Sequence, residues 1–347
     1  MTQKPLILWL TKDNNANLPS LRLRIIKLEP YIAEKFRQLR TPAPLGIIQL
    51  FKTIPLIRKA DIVIIQKQLL SPLLLLIIRA VAKKLYFDFD DSVHIRHTKN
   101  GDYKVSRKCR SRFKFVCSIV DAAIAGNSFL KEKAEEYGAK KVFILPTALA
   151  IQSPPGQETN NETITLGWIG TAANLPYLEE MEPIFLKLMS EHKKFQLSIM
   201  CDKPPKLESF TEFKFTKWSA AAEMEFLNQI DIGLMPLADN EHTRGKCAYK
   251  ALQYMSFGKP VVVSDVGINA QWTHGAGYAT KNNEEMVEAI NKLMASEKTR
   301  RELGEEGKRI VDQYFSEQVI SQRLINILET PERTNPDFPL LPTQSAL

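Results

Sequence analysis

The sequence is poor in the residues that build metal centres and disulphide frameworks. It has four cysteines in 347 residues, with neither a CxxC pair nor the Cys/His spacing of a zinc site. They are Cys109, Cys117, Cys201 and Cys247. This spacing argues against a zinc site and predicts free thiols in a reducing cytoplasm.

Long apolar runs are also missing. The most apolar stretch, "LLSPLLLLII" at residues 69–78, is too short to cross a bilayer and is followed by Arg79. At the start of the chain, "PLILWL" indicates a short strand rather than a secretory signal. The length and a composition of 44% hydrophobic and 25% charged residues are typical of two globular domains.

Acidic residues are scarce in the first half. Residues 1–150 carry 27 Lys and Arg against 12 Asp and Glu, whereas the remainder carries 20 against 27. The asymmetry favours an anionic partner for the first half, either a membrane surface or a phosphorylated acceptor, with a solvated basic surface as the alternative. Because no zinc-finger spacing, RNP pattern or basic heptad helix is present, we expect no nucleic-acid partner.

One basic segment is interleaved with aromatic residues. It is "IRHTKNGDYKVSRKCRSRFKF" at residues 95–115, with Tyr103, Phe113 and Phe115 among the cations. This combination predicts docking on anionic lipid headgroups, and a mobile solvated loop is the alternative.

Short apolar runs alternate with helical patterns in the first half. Six runs predict strands, and residues 20–39, 70–82 and 127–137 predict helices. The runs are "PLILWL", "GIIQLF", "DIVIIQ", "KLYFDFD", "DAAIAG" and "KVFILPT". We predict a first domain over 1–150 and, from the polar "SPPGQETNNE", a linker over 151–162.

The same alternation restarts after the linker. Strands are predicted at "TITLGWIG", "FQLSIMC", "DIGLMPL", "VVVS" and "GYAT", with helices over 173–190, 219–228, 283–296 and 298–313. We predict a second domain over 163–315, a helix over 316–330 that returns to the first domain, and a disordered tail over 331–347. The fold class is α/β, with two Rossmann-like doubly wound parallel-sheet domains facing a cleft and ligand at the carboxyl ends of the strands.

Residues 244–269, "RGKCAYKALQYMSFGKPVVVSDVGIN", suggest an anion site. The pattern predicts a helix that starts at Gly245 or Lys246, with Arg244 and Lys246 at the end where the helix dipole favours acids. A bound diphosphate would account for cations there. Lys246, Lys250 and Gln253 would share one helix face, and a solvated polar face is the alternative.

Further candidates lie at other strand ends. We predict donor contacts from the turns at Gly170, Thr171, Val266, Gly267 and Asn269. In the first half, Ser20 would cap a helix that carries Arg22 and Arg24 in its first turn, and we predict that both contact the acceptor or a phosphate. Asp90, Asp91 and His94 follow the strand "YFDF" and could orient or deprotonate an acceptor hydroxyl, with helix capping as the alternative. We expect no metal ion shared by Asp88 and Asp90, because the alternation of strands and helices over two domains argues against a metal-binding Asp-x-Asp site.

The stretch "QYMSFGKPVVVS" resembles the donor-site signature of the retaining glycosyltransferases of family 4, among the glycosyl transferases group 1 of the GT-B superfamily. The resemblance extends to "GWIGT", "DIGLMPL", "DVGIN" and "LGEEGKRIVDQYFSEQ", and to "YFDFDD" and "AIAGNSFLKEKAEEYGAKKVFILPT" in the first half. It implies a nucleotide-sugar donor in the C-terminal domain, an acceptor in the N-terminal one, retention at the anomeric carbon, and no metal or other cofactor.

The sequence departs from the family pattern at three places. The two glutamates of the family would fall at Gly245 and Gln253, and the Arg and Lys after the first donor-domain strand have no counterpart in "GTAANLPYLEE". The glycine-rich loop after the first strand is missing as well. A subgroup with Gly-Lys-x-x-x-Lys-Leu-Leu-Gln-Tyr-Met has glutamine at the second position, and we predict that the amide of Gln253 holds the ribose of the nucleoside without adding charge.

From these features we predict a glycosyltransferase. It would move a sugar from a nucleoside diphosphate sugar to a hydroxyl of a cell-envelope saccharide or lipid-linked acceptor, at the cytoplasmic face of the membrane. An epimerase of the same fold and a nucleotide-sugar-binding protein without turnover are the alternatives.

Overall fold

The computed structural model describes residues 3–13, 15, 18–97, 103–150, 163–191 and 195–339. The chain divides into two compact units. The first consists of Met1–Ala148, Arg244–Cys247 and Phe315–Pro339, and the second of Leu149–Thr243, Ala248–Tyr314 and Leu340–Leu347. The linker predicted over 151–162 lies outside the described residues.

The described residues contain fourteen strands: β1 (Leu6–Thr11), β2 (Arg37–Pro42), β3 (Ile62–Gln66), β4 (Leu85–Phe89), β5 (Ile95–His97), β6 (Tyr103–Val105), β7 (Ala122–Ala125), β8 (Val142–Ile144), β9 (Ile164–Ile169), β10 (Phe195–Cys201), β11 (Phe213–Lys217), β12 (Ile232–Met235), β13 (Val261–Ser264) and β14 (Gly277–Thr280).

Their α-helices, within the same described ranges, are α1 (Pro19–Leu21), α2 (Glu29–Ile32), α3 (Ile47–Lys59), α4 (Pro72–Val81), α5 (Arg107–Ile119), α6 (Ser128–Glu136), α7 (Leu175–Glu179), α8 (Glu182–Glu191), α9 (Ala220–Gln229), α10 (Glu241–Arg244), α11 (Tyr249–Ser256), α12 (Asn269–Trp272), α13 (Asn283–Ala295), α14 (Glu297–Ile310) and α15 (Glu317–Glu329). Arg22–Ile26 and Val311–Phe315 form π-helices, and Ala172–Asn174 a 3-10 helix.

The first unit is built on a parallel sheet with the strand order β2-β1-β3-β4-β7-β8. Every residue of β1, β3, β4, β7 and β8 is buried, as expected for strands covered on both faces. At the edge, β2 is polar and half-exposed, which explains why no apolar run predicted it. The strand predicted at "GIIQLF" is wrong, because its apolar residues recur at helical spacing and form the start of α3.

The second unit has the strand order β11-β10-β9-β12-β13-β14, again parallel throughout. Its core contains side chains from the strands and from helices α8 and α13, including Leu166, Ile199, Phe185 and Ile290. The chain changes direction across the sheet between β9 and β12, and in such folds ligands bind at the carboxyl ends of the strands beside this switch. The predicted α/β class with two Rossmann-like parallel sheets is confirmed.

The end of the described chain belongs to the first unit. Arg323 Nε on α15 donates to the carbonyl of Ile144 at 2.7 Å, and Ile144 N donates to the carbonyl of Pro336 at 2.8 Å. Phe338 is 8% exposed and its ring lies 5.3 Å from that of Phe315. The disorder predicted for 331–347 is therefore wrong for 331–339, whose proline-rich sequence packs without forming a helix or strand. Residues 340–347 lie outside the described ones.

Among the residues that the structure describes, no helix combines the length and the apolar composition that crossing a membrane requires.

Candidate functional site

In the second unit, Gln253 is the centre of a polar network. It lies on α11, is 6% exposed, and donates through Nε2 to Glu223 Oε1 at 2.5 Å. Its Oε1 accepts from Lys250 Nζ at 3.1 Å. Glu223 Oε2 accepts from the indole Nε1 of Trp218 at 2.6 Å. The amide of Gln253 is thus oriented from both ends, and a carboxylate lies beside it although the helix itself has no glutamate.

Local structure explains how Glu223 and Trp218 reach this place. Trp218 directly follows β11 and is 38% exposed. The next residue, Ser219, caps α9 by accepting from the backbone N–H of Ala222 at 3.1 Å, which places Glu223 in the first turn. Neither residue was among the sequence candidates. The available signal was an aromatic residue at a strand end, followed by a capping serine and an acid.

The turn after β9 contains Gly170 and Thr171. A Cβ on Gly170 would lie 2.3 Å from the ring of Trp168, so packing alone requires glycine at this position. The backbone N–H of Ala172, two residues on, donates to Asp202 Oδ1 at 2.7 Å. Burial would raise the pKa of Asp202, but the hydrogen bonds from Ala172 and Cys201, with the backbone N–H of Asp202 and the charge of Lys203, together outweigh it, and the pKa is lowered. The sequence predicts that this turn contacts phosphate. One of its backbone donors, the N–H of Ala172, is instead bonded to the carboxylate of Asp202.

The loop after β13 has the conformation expected of a tight turn. Gly267 has a φ of +61°, in the left-handed region, and Val266 is buried beside it. Asn269 is 1% exposed and donates through Nδ2 to the carbonyl of Ser264 at 3.1 Å. Its Oδ1 is buried and accepts no hydrogen bond from a described residue. A ligand hydroxyl that donated to this oxygen would satisfy it.

The predicted helix start at Gly245 or Lys246 is wrong. Arg244 is the last residue of α10 and is exposed, Lys246 is half-buried, and α11 begins only at Tyr249. Ala248 between them has a φ of +48°, a left-handed conformation that ends any helix. Lys246 therefore shares no helix face with Lys250 and Gln253.

The first unit supplies the physical reason for this late start. Asn127 is fully buried, and its Nδ2 donates to the carbonyls of Gly245 at 3.2 Å and Lys246 at 2.9 Å. In a helix that began at Gly245, these carbonyls would accept from residues four positions later. A Cβ on Gly245 would lie 2.1 Å from Ser92 Oγ, so glutamate cannot stand there in this conformation.

Asp90 and Asp91 lie beyond the carboxyl end of β4, beside a lysine that the sequence candidates omitted. Lys67 Nζ is 2.8 Å from Asp90 Oδ1 and 3.8 Å from Asp91 Oδ2. Lys67 directly follows β3 and has a φ of +54°. Burial would raise the pKa of Asp90, but Lys67 and then Arg24 outweigh it, and the pKa is lowered. Asp90 is therefore ionised at neutral pH and suits orienting a hydroxyl better than accepting its proton.

Lys246 belongs to the same electrostatic cluster. Burial lowers its pKa below the ordinary value, Asp91 opposes this change, and Lys67 lowers the pKa further. Two lysines and two aspartates of the first unit thus influence one another near the ends of β3 and β4. That Lys246 binds the diphosphate of a donor stays a prediction. Among the described residues, Asp91 is an acidic group that acts on its charge.

Arg24 does not have the role predicted for it. It is 2% exposed, its Nε donates to Asp88 Oδ2 at 3.1 Å, and its Nη2 pairs with Asp88 Oδ1. Its Nη1 donates to the carbonyl of Leu145 at 2.9 Å. The helix also starts earlier than predicted, so Ser20 lies inside α1 and caps nothing, while Arg22 opens the π-helix and is half-buried. Arg24 supports the fold rather than a ligand.

His94 is placed in the core. It is 1% exposed and stacks on Phe113 at 5.4 Å between ring centroids, with Tyr137 at 6.1 Å. Phe113 is itself fully buried, on helix α5, whose residues 107–115 form the last part of the basic segment 95–115. The predicted contacts of His94 with an acceptor and of Phe113 with lipid are therefore wrong. Residues 98–102 of the segment lie outside the described ones.

Comparison with known proteins finds one family similarity, which lies mostly in the second unit. Residues 165–296 match the family model of the glycosyl transferases group 1. A search of curated proteins finds no match. Because the family model covers β9 to α13, it includes Gln253, Glu223 and Trp218.

Three solved proteins illustrate the fold similarity, each at a sequence identity that shows the fold alone. Anabaena HepE in complex with UDP has a TM-score of 0.65 at 13% identity, covering 94% of this chain and 100% of that one. TarM has 0.62 at 13%, covering 81% of this chain but only 57% of TarM. A mutant of S. aureus TarM has been solved with fondaparinux, α-GlcNAc-glycerol and UDP. A Listeria monocytogenes protein provisionally assigned as UDP-N-acetylglucosamine 2-epimerase has 0.58 at 12%, covering 98% and 100%.

Proposed function

We propose that this chain, which carries a glycosyl transferases group 1 domain over residues 165–296, moves a sugar from a nucleoside diphosphate sugar to an acceptor hydroxyl. The family match carries the proposal, because it covers Trp218, Glu223 and Gln253, which form the polar network. Retention at the anomeric carbon, as in family 4, and independence of metal and other cofactors belong to the same proposal. The proposed acceptor is a cell-envelope saccharide or a lipid-linked one, at the cytoplasmic membrane face.

The second unit would bind the donor. Glu223 accepts two hydrogen bonds in the network, and an ionised carboxylate has room for two more from ribose hydroxyls. Gln253 would hold the carboxylate in place, so the acid that the family carries on α11 would here come from α9. The exposed ring of Trp218 offers a face on which a nucleobase can stack.

Charge on the leaving diphosphate grows in the transition state, so groups that stabilise it there accelerate transfer. Arg244, Lys246, Thr171 and the turn at Gly267 are our candidates for that role. In the first unit, Asp90 and Asp91 with Lys67 would orient the acceptor hydroxyl. Arg24 and His94 have no part in binding the substrates, because Arg24 is paired with Asp88 and His94 is packed against Phe113 in the core.

Two experiments test this function. A thermal-shift screen of the full chain across nucleoside diphosphates should show one base raising the melting temperature, and the matching sugar donors should then release nucleoside diphosphate. Two other readings make different predictions. An epimerase, suggested by the fold similarity to the L. monocytogenes protein, would convert the donor without an acceptor. A binding protein, suggested by Gly245 and Gln253 at the glutamate positions, would bind donor with no turnover.

A further inference from the structure

Helices α3 and α4 of the first unit expose large apolar side chains to solvent. Leu45, just before α3, is 73% exposed, and Ile48 and Phe51 on α3 are 72% and 66% exposed. On α4, Leu73 and Leu76 are 64% and 52% exposed. Single exposed apolar residues are common, but a group of this size on two neighbouring helices marks an interaction site.

The parallel sheet places these residues together. Helices α3 and α4 pack against each other, and each leads into a strand of the same parallel sheet, so both begin at its carboxyl edge. The exposed apolar residues precede α3 or lie in the first halves of the helices. We call this group, Leu45, Ile47, Ile48, Phe51, Leu73 and Leu76, the α3–α4 apolar surface. It lies toward the edge that also carries Lys67 and Asp90.

The surroundings of the α3–α4 apolar surface are basic. Between Phe36 and Phe87 the sequence has nine Lys and Arg and a single acid, Asp61. Lys52, Arg58 and Lys59 on α3 are exposed and form no ion pair with any residue the structure describes. Lys52 directly follows Phe51, so a cation borders the apolar side chains.

This combination decides between two kinds of occupant. A second copy of the chain, docked through the same surface, would bring the same cations face to face, and like charges across an interface are costly. An anionic bilayer avoids that cost, because apolar side chains enter the acyl boundary while cations meet headgroup phosphates.

We propose that the α3–α4 apolar surface docks this chain on an anionic membrane. The proposal names a surface different from the basic segment 95–115, whose Phe113 is buried. It uses neither the donor network nor the family match, so its failure would leave the proposed transfer reaction intact. If both hold, the docked edge is the one where Lys67 and Asp90 would meet a lipid-linked acceptor.

Co-sedimentation of the full chain with vesicles tests the proposal. We expect the wild type to sediment with phosphatidylcholine vesicles that contain about a third phosphatidylglycerol, and far less with phosphatidylcholine alone. The double variant Ile48→Ser/Phe51→Ser should bind anionic vesicles at least about tenfold more weakly, because two large apolar side chains no longer enter the bilayer. Lys52→Glu/Arg58→Glu should lose binding most strongly at low salt.

Controls separate docking from folding. Leu73→Ser/Leu76→Ser changes the other helix and should weaken binding similarly, whereas Met224→Ser, an apolar residue 52% exposed on α9 of the second unit, should not. All these residues are exposed, so thermal melts should change little. Wild-type levels of vesicle binding by both serine variants would overturn the proposal. So would a wild-type dimer, seen by light scattering, that fails to bind vesicles and dissociates in Ile48→Ser/Phe51→Ser.

Discussion

At the scale of single residues, Gln253 is tied to a carboxylate thirty positions earlier in the chain. Glutamine differs from glutamate only in charge and in having donors, and here Glu223 supplies the charge that Gln253 lacks. If Gln253 had faced solvent or an apolar core, a silenced site would be the simpler reading. The bonds to Glu223 and Lys250 instead give the amide a defined orientation.

Glu223→Gln should weaken the binding of the preferred nucleoside diphosphate by about tenfold to a hundredfold, since hydrogen bonds to a charged group are the stronger ones. Titration calorimetry on the full chain measures this. Glu225→Gln is the matched control, because Glu225 is exposed on the same helix and bonds only Gln229 among the described residues. Equal affinities for the two variants would remove Glu223 from the donor site.

Arg24→Met should lower the free energy of unfolding by about 3–5 kcal/mol, because Asp88 would be left buried without its partner. Urea denaturation provides the measurement. Arg58→Met, an exposed site, should change stability by less than about 0.5 kcal/mol. A small effect of Arg24→Met on stability, together with a large loss of substrate binding, would restore the ligand role that the burial of Arg24 argues against.

Asp90 makes stability depend on pH. Its folded pKa is lowered, so its contribution is present above the unfolded value of about 3.9 and is lost as pH falls through the folded pKa. Each unit of lowering contributes about 1.4 kcal/mol. Between pH 6 and pH 3, the wild type should therefore lose more unfolding free energy than Asp90→Asn. If both lose the same amount, the ion pair with Lys67 is not formed in solution.

At the scale of elements, the segment 244–247 is held by the N-terminal cap of α6. Asn127 Oδ1 accepts from the backbone N–H of Leu130 at 2.9 Å, while its Nδ2 bonds the carbonyls of Gly245 and Lys246. One side chain thus caps a helix and fixes the backbone of a candidate anion site. Burial raises the pKa of Cys247, which makes its thiol slow to react.

Asn127→Ala should cost about 1–3 kcal/mol of unfolding free energy, whereas Asn282→Ala, which removes only the exposed cap of α13, should cost about 1 kcal/mol. Labelling of Cys247 by iodoacetamide, followed by mass spectrometry, should accelerate only in Asn127→Ala. Unchanged labelling in that variant would show that Asn127 does not hold the segment.

Elements differ in how well the sequence predicts them. Short runs rich in Val and Ile, such as those of β3 and β13, are predicted correctly, because they are typical of strands covered on both faces. Edge strand β2 and helix α3 are not predicted. Strand β2 lacks a buried face, and the exposed apolar residues at the start of α3 give its sequence the composition of a strand. In the site, strand-end residues are predicted, but the Gln253–Glu223 and Lys67–Asp90 pairs are not, because they join separate elements.

At the scale of the whole molecule, the two units differ in charge and in the chemistry they offer. The first is strongly basic, with an ionised Asp90 beside Lys67 and an apolar surface on α3 and α4. The second contains the network around Gln253 and most of residues 165–296, which match the family model of the glycosyl transferases group 1. A donor bound by one unit and an acceptor bound by the other is the division of labour that these properties favour.

The most direct test is to incubate the full chain with a panel of nucleoside diphosphate sugars, with and without saccharide or lipid-linked acceptors, and to identify the products by mass spectrometry. The account predicts release of nucleoside diphosphate from one donor, faster with an acceptor that gains the sugar, and a strong loss of this activity in Glu223→Gln but not in Glu225→Gln. Binding of that donor without release of nucleoside diphosphate, or its conversion to an epimer with no sugar transferred, would contradict it.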